Sequence, residues 1–327
     1  MAQIMLKNVT KTFKIAQRAE GRSNIFKRAF VRTTKEIHAI DNISFDIEQG
    51  ELVGYIGPNG AGKSTSVKVM SGILTPESGE CVIMGRTPWK ERVAHVSQIG
   101  VVFGQRSQLW WDVPVNDSFD LLKDIYDIPT QVYKERKNRL IETMDAGNLL
   151  KTPVRQLSLG QRMRCEIVAA LLHSPKILFL DEPTIGLDAV SKLALREFLK
   201  SENKENGVTM ILTTHDMDDI EALCERVMVI GHGKLLFDGN LNGLRQKFSP
   251  LRRINAVMAT PVDDIKIDGA EKTEINDKTY TVWFDPQKIP AHKIVADIAE
   301  RLPLVDITIE EQDIYEMIAV MYQEMDL

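Results

Sequence analysis

Residues 57–65, GPNGAGKST, constrain this chain more than any other stretch. They fit G-x-x-x-x-G-K-[ST] and lie between the apolar run ELVGYI and the helix-patterned STSVKVMSGIL, the strand–turn–helix context that the motif requires. Gly57, Gly60 and Gly62 let the backbone turn where a side chain would forbid it. Successive N–H groups then converge on phosphate at the positive end of a helix. Lys63 is placed to hold β- and γ-phosphates, and the Ser64 hydroxyl to ligate Mg²⁺; Pro58, Asn59, Ala61 and Thr65 complete the loop.

The surrounding pattern predicts an α/β fold. IMLKNVT and IHAIDNISFDI read as strands of a small antiparallel-type sheet, and ELVGYIG as a further strand. From Gly57 onward IGVVF, KILFLD, TMILTTH and RVMVI alternate with helical stretches, which indicates a mainly parallel sheet. Between residues 106 and 172, VNDSFDLLKDIY, YKERKNRLIETMDA and QRMRCEIVAALL are helical in pattern, so this segment reads as a helical subdomain inserted into the sheet. In residues 241–327, RINAVMA, TYTVWF and VDITIE are strand-like, while PAHKIVADIAERL and EEQDIYEMIAVMYQEM are helical. A small C-terminal α+β appendage is expected there.

A formal net charge of −5 supplies no global attraction for nucleic acid, and none is expected as a partner. Cys81, Cys165 and Cys224 lack CxxC spacing, which argues against a zinc site and a disulfide framework and for a reducing cytosol. No apolar run approaches the roughly 18–20 residues that span a bilayer, so the chain is not expected to cross a membrane unaided.

Two acidic residues follow the apolar strand of LFLDEPT, residues 178–184. Ligands of parallel sheets gather at the carboxyl ends of strands, which brings Asp181 and Glu182 to the phosphate loop. Asp181 would position Mg²⁺, and Glu182 would polarise the attacking water as general base. Elsewhere such a pair is an ordinary helix-start acid pair; the upstream loop reverses that reading. His215, in TTHD, ends another buried strand at the same edge and is either a donor to a γ-phosphate oxygen or a capping histidine. Gln105, after IGVVF, is either a Mg²⁺ or water ligand or polar loop surface.

With these residues on the page, residues 1–240 resemble the nucleotide-binding domain of ABC transporters. GPNGAGKST, Gln105, LSLGQ at 157–161, LFLDEPT, IGLD at 185–188 and His215 match its Walker A, Q-loop, signature, Walker B, D-loop and H-loop in order. The resemblance implies a P-loop ATPase using ATP and Mg²⁺, with Phe13 either stacking on adenine or packing as a strand-end core residue. It further implies a head-to-tail dimer with a second copy or a homologous ATPase. Ser158, Gly160 and Gln161, at the start of the helix QRMRCEIVAALL, would then close over ATP held by the other subunit, with Asp188 nearby.

The single nucleotide domain, FGQRSQLWWDVPV, LSLGQRMR and the C-terminal extension most resemble ATPase subunits of ABC-2-type exporters. These bind separate transmembrane permease subunits peripherally at the cytoplasmic face of the membrane. Trp110, Trp111 and Phe119 fall where such domains receive a coupling helix, and serve either as interface anchors or as core of the helical subdomain. The alternatives are a soluble ABC-type ATPase acting as a regulatory or translation-associated module, and a P-loop kinase, which leaves LSLGQ unexplained.

Three features depart from the family pattern. Leu159 replaces the usual first glycine of the signature, and Leu159→Gly is expected to be tolerated. Ile185 stands where a small polar residue is usual. The insertion 14–35 carries Arg18, Arg22, Lys27, Arg28, Arg32 and Lys35 beside Ile25, Phe26, Ala29 and Phe30. It reads as a basic amphipathic helix for anionic headgroups or a membrane subunit, or as a solvated loop.

Overall fold

The computed structural model describes residues 2–17, 33–104, 106–248, 251–262, 265–311 and 317. The chain divides into two compact units, Met1–Gly239 and Asn240–Leu327.

The first unit opens with a long antiparallel hairpin, β1 (Ala2–Gln17) and β2 (Thr33–Glu48), followed by β3 (Leu52–Ile56), α1 (Lys63–Met70) and β4 (Ser78–Ile83). β1 lies between β2 and β4 in an antiparallel sheet of its own. Residues 14–17 and 33–35 continue the hairpin as strand, in register from Lys14↔Glu36 to Gln17↔Thr33. The ends of the basic insertion are therefore extended strand. Residues 18–32, with the expected helix and most of its bases, lie outside the described residues.

After a short helix, α2 (Arg92–Val96), and β5 (Ile99–Phe103), the chain runs through three longer helices: α3 (Val115–Ile125), α4 (Thr130–Thr143) and α5 (Leu159–Leu171). Pro114 and Pro129 stand at the N-caps of α3 and α4, where a missing N–H costs no helical bond. Then β6 (Ile177–Asp181), α6 (Ala189–Asn206), β7 (Thr209–Thr213), α7 (Met217–Leu223), β8 (Arg226–Gly231) and β9 (Lys234–Asn240) follow. Gly207, at φ 64, ends α6 in the left-handed conformation that L side chains avoid.

The central sheet has the order β5-β6-β7-β3-β8-β9, with parallel pairing from β5 through β8. Its strands are buried on both faces, which is why ILFLD and TMILT carry apolar runs instead of alternating polarity. The core joins this sheet to α1 and the hairpin through Ile4, Tyr55, Val67 and Phe179, all fully buried.

In the second unit, α8 (Leu241–Phe248) precedes β10 (Arg252–Met258), β11 (Ala270–Asn276), β12 (Thr279–Phe284), α9 (Ala291–Arg301) and β13 (Leu304–Glu311). The strands form an antiparallel sheet of order β11-β12-β10-β13. Ile294 and Ile298 of α9 bury against its Ile254, Tyr280 and Phe284. EEQDIYEMIAVMYQEM, expected as a helix, lies outside the described residues except for Glu310 and Glu311, which end β13 as strand, and Met317.

Candidate functional site

Register decides what meets at the carboxyl edge of the sheet. Phe103 is paired with Asp181, and Asp181 with Thr213. The loops that follow β3, β5, β6 and β7 consequently leave the sheet side by side. A cavity of about 360 Å³ opens there, lined by Gly60, Lys63, Ser64, Thr65, Asp181 and Glu182.

The glycine loop is shaped by close backbone approach. A Cβ on Gly57 would collide with the Ile230 carbonyl, and one on Gly62, at φ 109, with the Ala39 carbonyl. Only glycine lets the loop pass there. The Tyr55 hydroxyl donates to Ser66 Oγ (3.0 Å), which donates to the Gly62 carbonyl (3.1 Å) and fixes the junction of loop and helix.

Lys63 turns back into this loop, its Nζ donating to the carbonyls of Gly57 (2.6 Å) and Pro58 (3.1 Å). Burial lowers its pKa, against the pull of Glu182 and Asp181. Neutral carbonyls thus hold a cation where an anionic oxygen would bind more strongly.

Asp181 Oδ1 accepts from Thr213 Oγ1 at 2.5 Å, so the neighbouring strand fixes this carboxylate. Glu182, one residue past β6, has φ 56, and its N–H donates to the Thr213 carbonyl (2.8 Å). Such a conformation costs a non-glycine residue about 1–2 kcal/mol. Its Oε2 lies 3.2 Å from His215 Nδ1, and the imidazole is 65% exposed. Glu182 and His215 thus stand as an adjacent carboxylate–imidazole pair, of which Glu182 lines the cavity and His215 does not.

Gln105 lies outside the described residues. Its neighbour Arg106 lines the cavity, as does Lys68 of α1; sequence reasoning passed over both. A basic residue adjoining each motif was the available signal.

The Asp219 carboxylate, another unexpected residue, is fully buried. It accepts from Thr184 Oγ1 (2.6 Å), from Arg196 Nε (2.7 Å) and, at longer range, from Thr214 Oγ1 (3.4 Å). It therefore ties the segment after Glu182 to the residue before His215.

Ser158, Gly160, Gln161 and Asp188 do not line this cavity. Ser158 caps α5 in a reciprocal box: its Oγ accepts from Gln161 N (3.2 Å), while Gln161 Oε1 accepts from Ser158 N (2.9 Å). Asp188 caps α6 through Ser191 N (2.8 Å), and hydrogen bonds from Ser191 hold its carboxyl below the usual range.

Leu159 packs on Gly186, where a Cβ would stand 2.7 Å from Leu159 Cδ2. Phe13 is 37% exposed on the hairpin opposite Ile37, with Lys11 Nζ 5.7 Å from its ring centroid; it is not a core residue. Phe119 of α3 is fully buried, whereas Trp110 and Trp111 remain exposed.

The profile of the family described as "ABC transporter" matches residues 40–185. The ABC transporter ATP-binding protein NatA of Bacillus subtilis is 31% identical over 217 residues, covering 66% of this chain and 88% of NatA. The chain belongs to the ABC transporter ATP-binding family. The probable multidrug ABC transporter ATP-binding protein YbhF of Escherichia coli is 32% identical over 69% of this chain and 38% of its own length.

Longer relatives are matched over only 27% to 38% of their length. Among solved ABC structures, the dimeric post-hydrolysis state of the cassette MJ0796 bound to ADP and Pi superposes with a TM-score of 0.62. It is 27% identical and covers 73% of this chain and 98% of the cassette. Both the α/β P-loop architecture and the ABC resemblance are borne out.

Proposed function

We propose that this ABC domain is the Mg²⁺-dependent ATPase motor of an exporter, working as a head-to-tail dimer beneath separate membrane subunits. The observation that carries this reading is a division of the site. The glycine loop, Asp181, Glu182 and His215 meet at one sheet edge, whereas the capped turn at Ser158 lies off that cavity. A second copy would bring Ser158, Gly160 and Gln161 to complete the site, and the dimeric MJ0796 bound to ADP and Pi supports the arrangement.

Each residue's role follows from its placement. Lys63 exchanges its loop carbonyls for β- and γ-phosphate oxygens. Phe13 offers an exposed apolar face to the adenine. Glu182 accepts a proton from the water that attacks the γ-phosphorus, and His215 orients that carboxylate through Nδ1. Gln105, immediately before Arg106, would contact the metal or the water.

Mg²⁺ fits the hard oxygen donors of the cavity: Ser64 and Asp181 would hold it, and when bound it neutralises phosphate charge. Ser158 must release Gln161 N to meet phosphate, at the roughly 1 kcal/mol typical of an N-cap bond. ATP would supply that differential affinity.

We read residues 1–240 as the nucleotide-binding domain and 241–327 as an accessory domain. The multidrug transporter description of YbhF is in keeping with an export role, and Trp110 and Trp111 give an exposed aromatic surface for an ABC-2-type permease. No helix among the described residues is long and apolar enough to cross a membrane. A peripheral position at the cytoplasmic face follows from that partnership.

The test is Glu182→Gln. ATP hydrolysis should fall by about 10²–10⁴-fold, the usual share of a general base, while light scattering shows an ATP-bound dimer accumulating. Hydrolysis near the wild-type rate would remove Glu182 from the role of base. Ser158→Arg should abolish ATP-driven dimerisation; an unchanged dimer would sink the composite-site reading.

A further inference from the structure

Leu159 departs from the family signature, and in the fold it touches Gly186, the residue after the D-loop departure at Ile185. A Cβ built on Gly186 would stand 2.7 Å from Leu159 Cδ2, 2.8 Å from Cγ and 3.1 Å from Cβ. The approach is equally close on the neighbouring residue, where a Cβ on Gly160 would lie 2.7 Å from the Gly186 carbonyl. The leucine side chain fills the notch left by the missing side chain, and the loop backbone rests on the first turn of α5.

The loop that receives this contact has little freedom to absorb a displacement. Ile185 N donates to the Glu182 carbonyl (3.3 Å) and Leu187 N to the Thr184 carbonyl (3.2 Å), so consecutive turns run from the catalytic carboxylate to Gly186. Thr184 is tied to buried Asp219 on one side, and Asp188 is committed to capping α6 on the other. A short, doubly anchored turn passes on a push at its middle. Leu159 and Gly186 are both exposed, so the push travels along this anchored turn and not through a packed interior.

We propose that Leu159 and Gly186 form a size-complementary positioning pair, fastening the signature turn to the D-loop so that load applied at Ser158 reaches Glu182 of the same subunit. The inference rests on the composite-site reading, because the load comes from ATP held by the partner. Each subunit then senses closure over its neighbour's nucleotide through its own leucine.

A double-mutant cycle on the full chain tests this. Gly186→Ala alone introduces a side chain where Leu159 already stands and should lower kcat about tenfold, with a smaller change in KM for ATP. Leu159→Gly alone should keep hydrolysis but flatten its dependence on ATP, the Hill coefficient falling toward one. In the double variant kcat should return to within about threefold of Leu159→Gly, the residue being left-handed backbone strain at position 186 (φ 74). Equal damage by Gly186→Ala in both backgrounds, with unchanged Hill coefficients, overturns the pairing.

Leu159→Cys combined with Gly186→Cys gives a second readout. The Cβ separation of 3.1 Å is slightly below the roughly 3.5–4.5 Å of a disulfide, so a small shift permits the bond. Cys81, Cys165 and Cys224 are buried and do not compete. Because the pair is proposed to move as a unit, the oxidised protein should hydrolyse ATP within about twofold of its reduced form and of Gly186→Cys alone. Failure to cross-link, or inactivation by oxidation that reductant reverses, overturns the proposal. Ser158→Arg separates the two ideas. If it still blocks dimerisation while the cycle is additive, only the Leu159–Gly186 inference falls; if it does not, the composite site falls first.

Discussion

Replacing Asp219 with leucine should be among the most destabilising single changes available in the first unit. The carboxylate is fully buried and compensates Arg196, whose side chain is only 13% exposed and whose Nη2 lies 2.6 Å from Oδ1. With Asp219 gone, the carboxylate left to Arg196 among the described residues is Asp216, at 3.7 Å and already held by Lys192. Breaking a buried ion pair from one side costs about 3–5 kcal/mol, because the surviving charge is left uncompensated. Thr184, 5% exposed, loses the acceptor of its 2.6 Å bond, worth about 1 kcal/mol more.

The sum, about 4–6 kcal/mol, is a large fraction of the roughly 5–15 kcal/mol that holds a domain folded. Adding Arg196→Met removes the orphaned charge and should recover about 2–3 kcal/mol, so the double variant is the more stable. Hydrogen exchange of β7 amides in increasing urea reads the first unit without interference from the second. A loss below about 1 kcal/mol, or a double variant no better than the single, would refute the reasoning. Thr184 and Thr214 flank Glu182 and His215, so turnover should also drop at temperatures where the fold survives.

Two further outcomes follow from the site and its surroundings. Arg106→Ala should weaken ATP binding about tenfold, the loss of one charge-assisted contact, and Arg106→Lys should restore part of it; equal affinity by calorimetry would exclude Arg106 from the phosphate site. His173 stacks on Tyr126 at 3.9 Å, bonds the Ile99 carbonyl through Nε2 and is pushed down to about 4, chiefly by burial. Its unfolded counterpart titrates near 6.5, so below that pH the unfolded state binds the extra proton. Stability should therefore fall by about 1.4 kcal/mol per pH unit as pH drops from 6.5 toward 4, and level off below. His173→Phe should flatten that slope; parallel urea midpoints for the two proteins between pH 7 and 5 would count against it.

What was legible in the sequence followed from local periodicity. ELVGYI, IGVVF, KILFLD and TMILTTH announce buried strands because both faces of a parallel sheet are covered, and each motif residue then falls at a strand's carboxyl end by topology alone. β11 escaped notice for the opposite reason: AEKTEIN is an edge strand whose charges protect an open ladder, and its polarity resembles a loop. β4, SGECVI, is half exposed and gave no alternation to read. The long continuation of the hairpin into residues 14–17 and 33–35 was hidden by a basic stripe with helical spacing.

The site was legible wherever one residue type in one motif implies its chemistry, as for Lys63, Asp181 and Glu182. It was not legible where the argument needs two elements at once. Asp219 reads as a surface acid of α7 until Arg196 and Thr184, from α6 and the loop before it, converge on it. Leu159 and Ile185 read as separate irregularities, one in each motif. The contact belongs instead to Leu159 and the glycine after Ile185, and no periodicity of either segment reports it. The leucine that loosens the match to the family signature therefore requires the glycine at position 186, where a Cβ would meet its side chain. Gly186→Ala should therefore disturb the loop more in the presence of Leu159 than after Leu159→Gly.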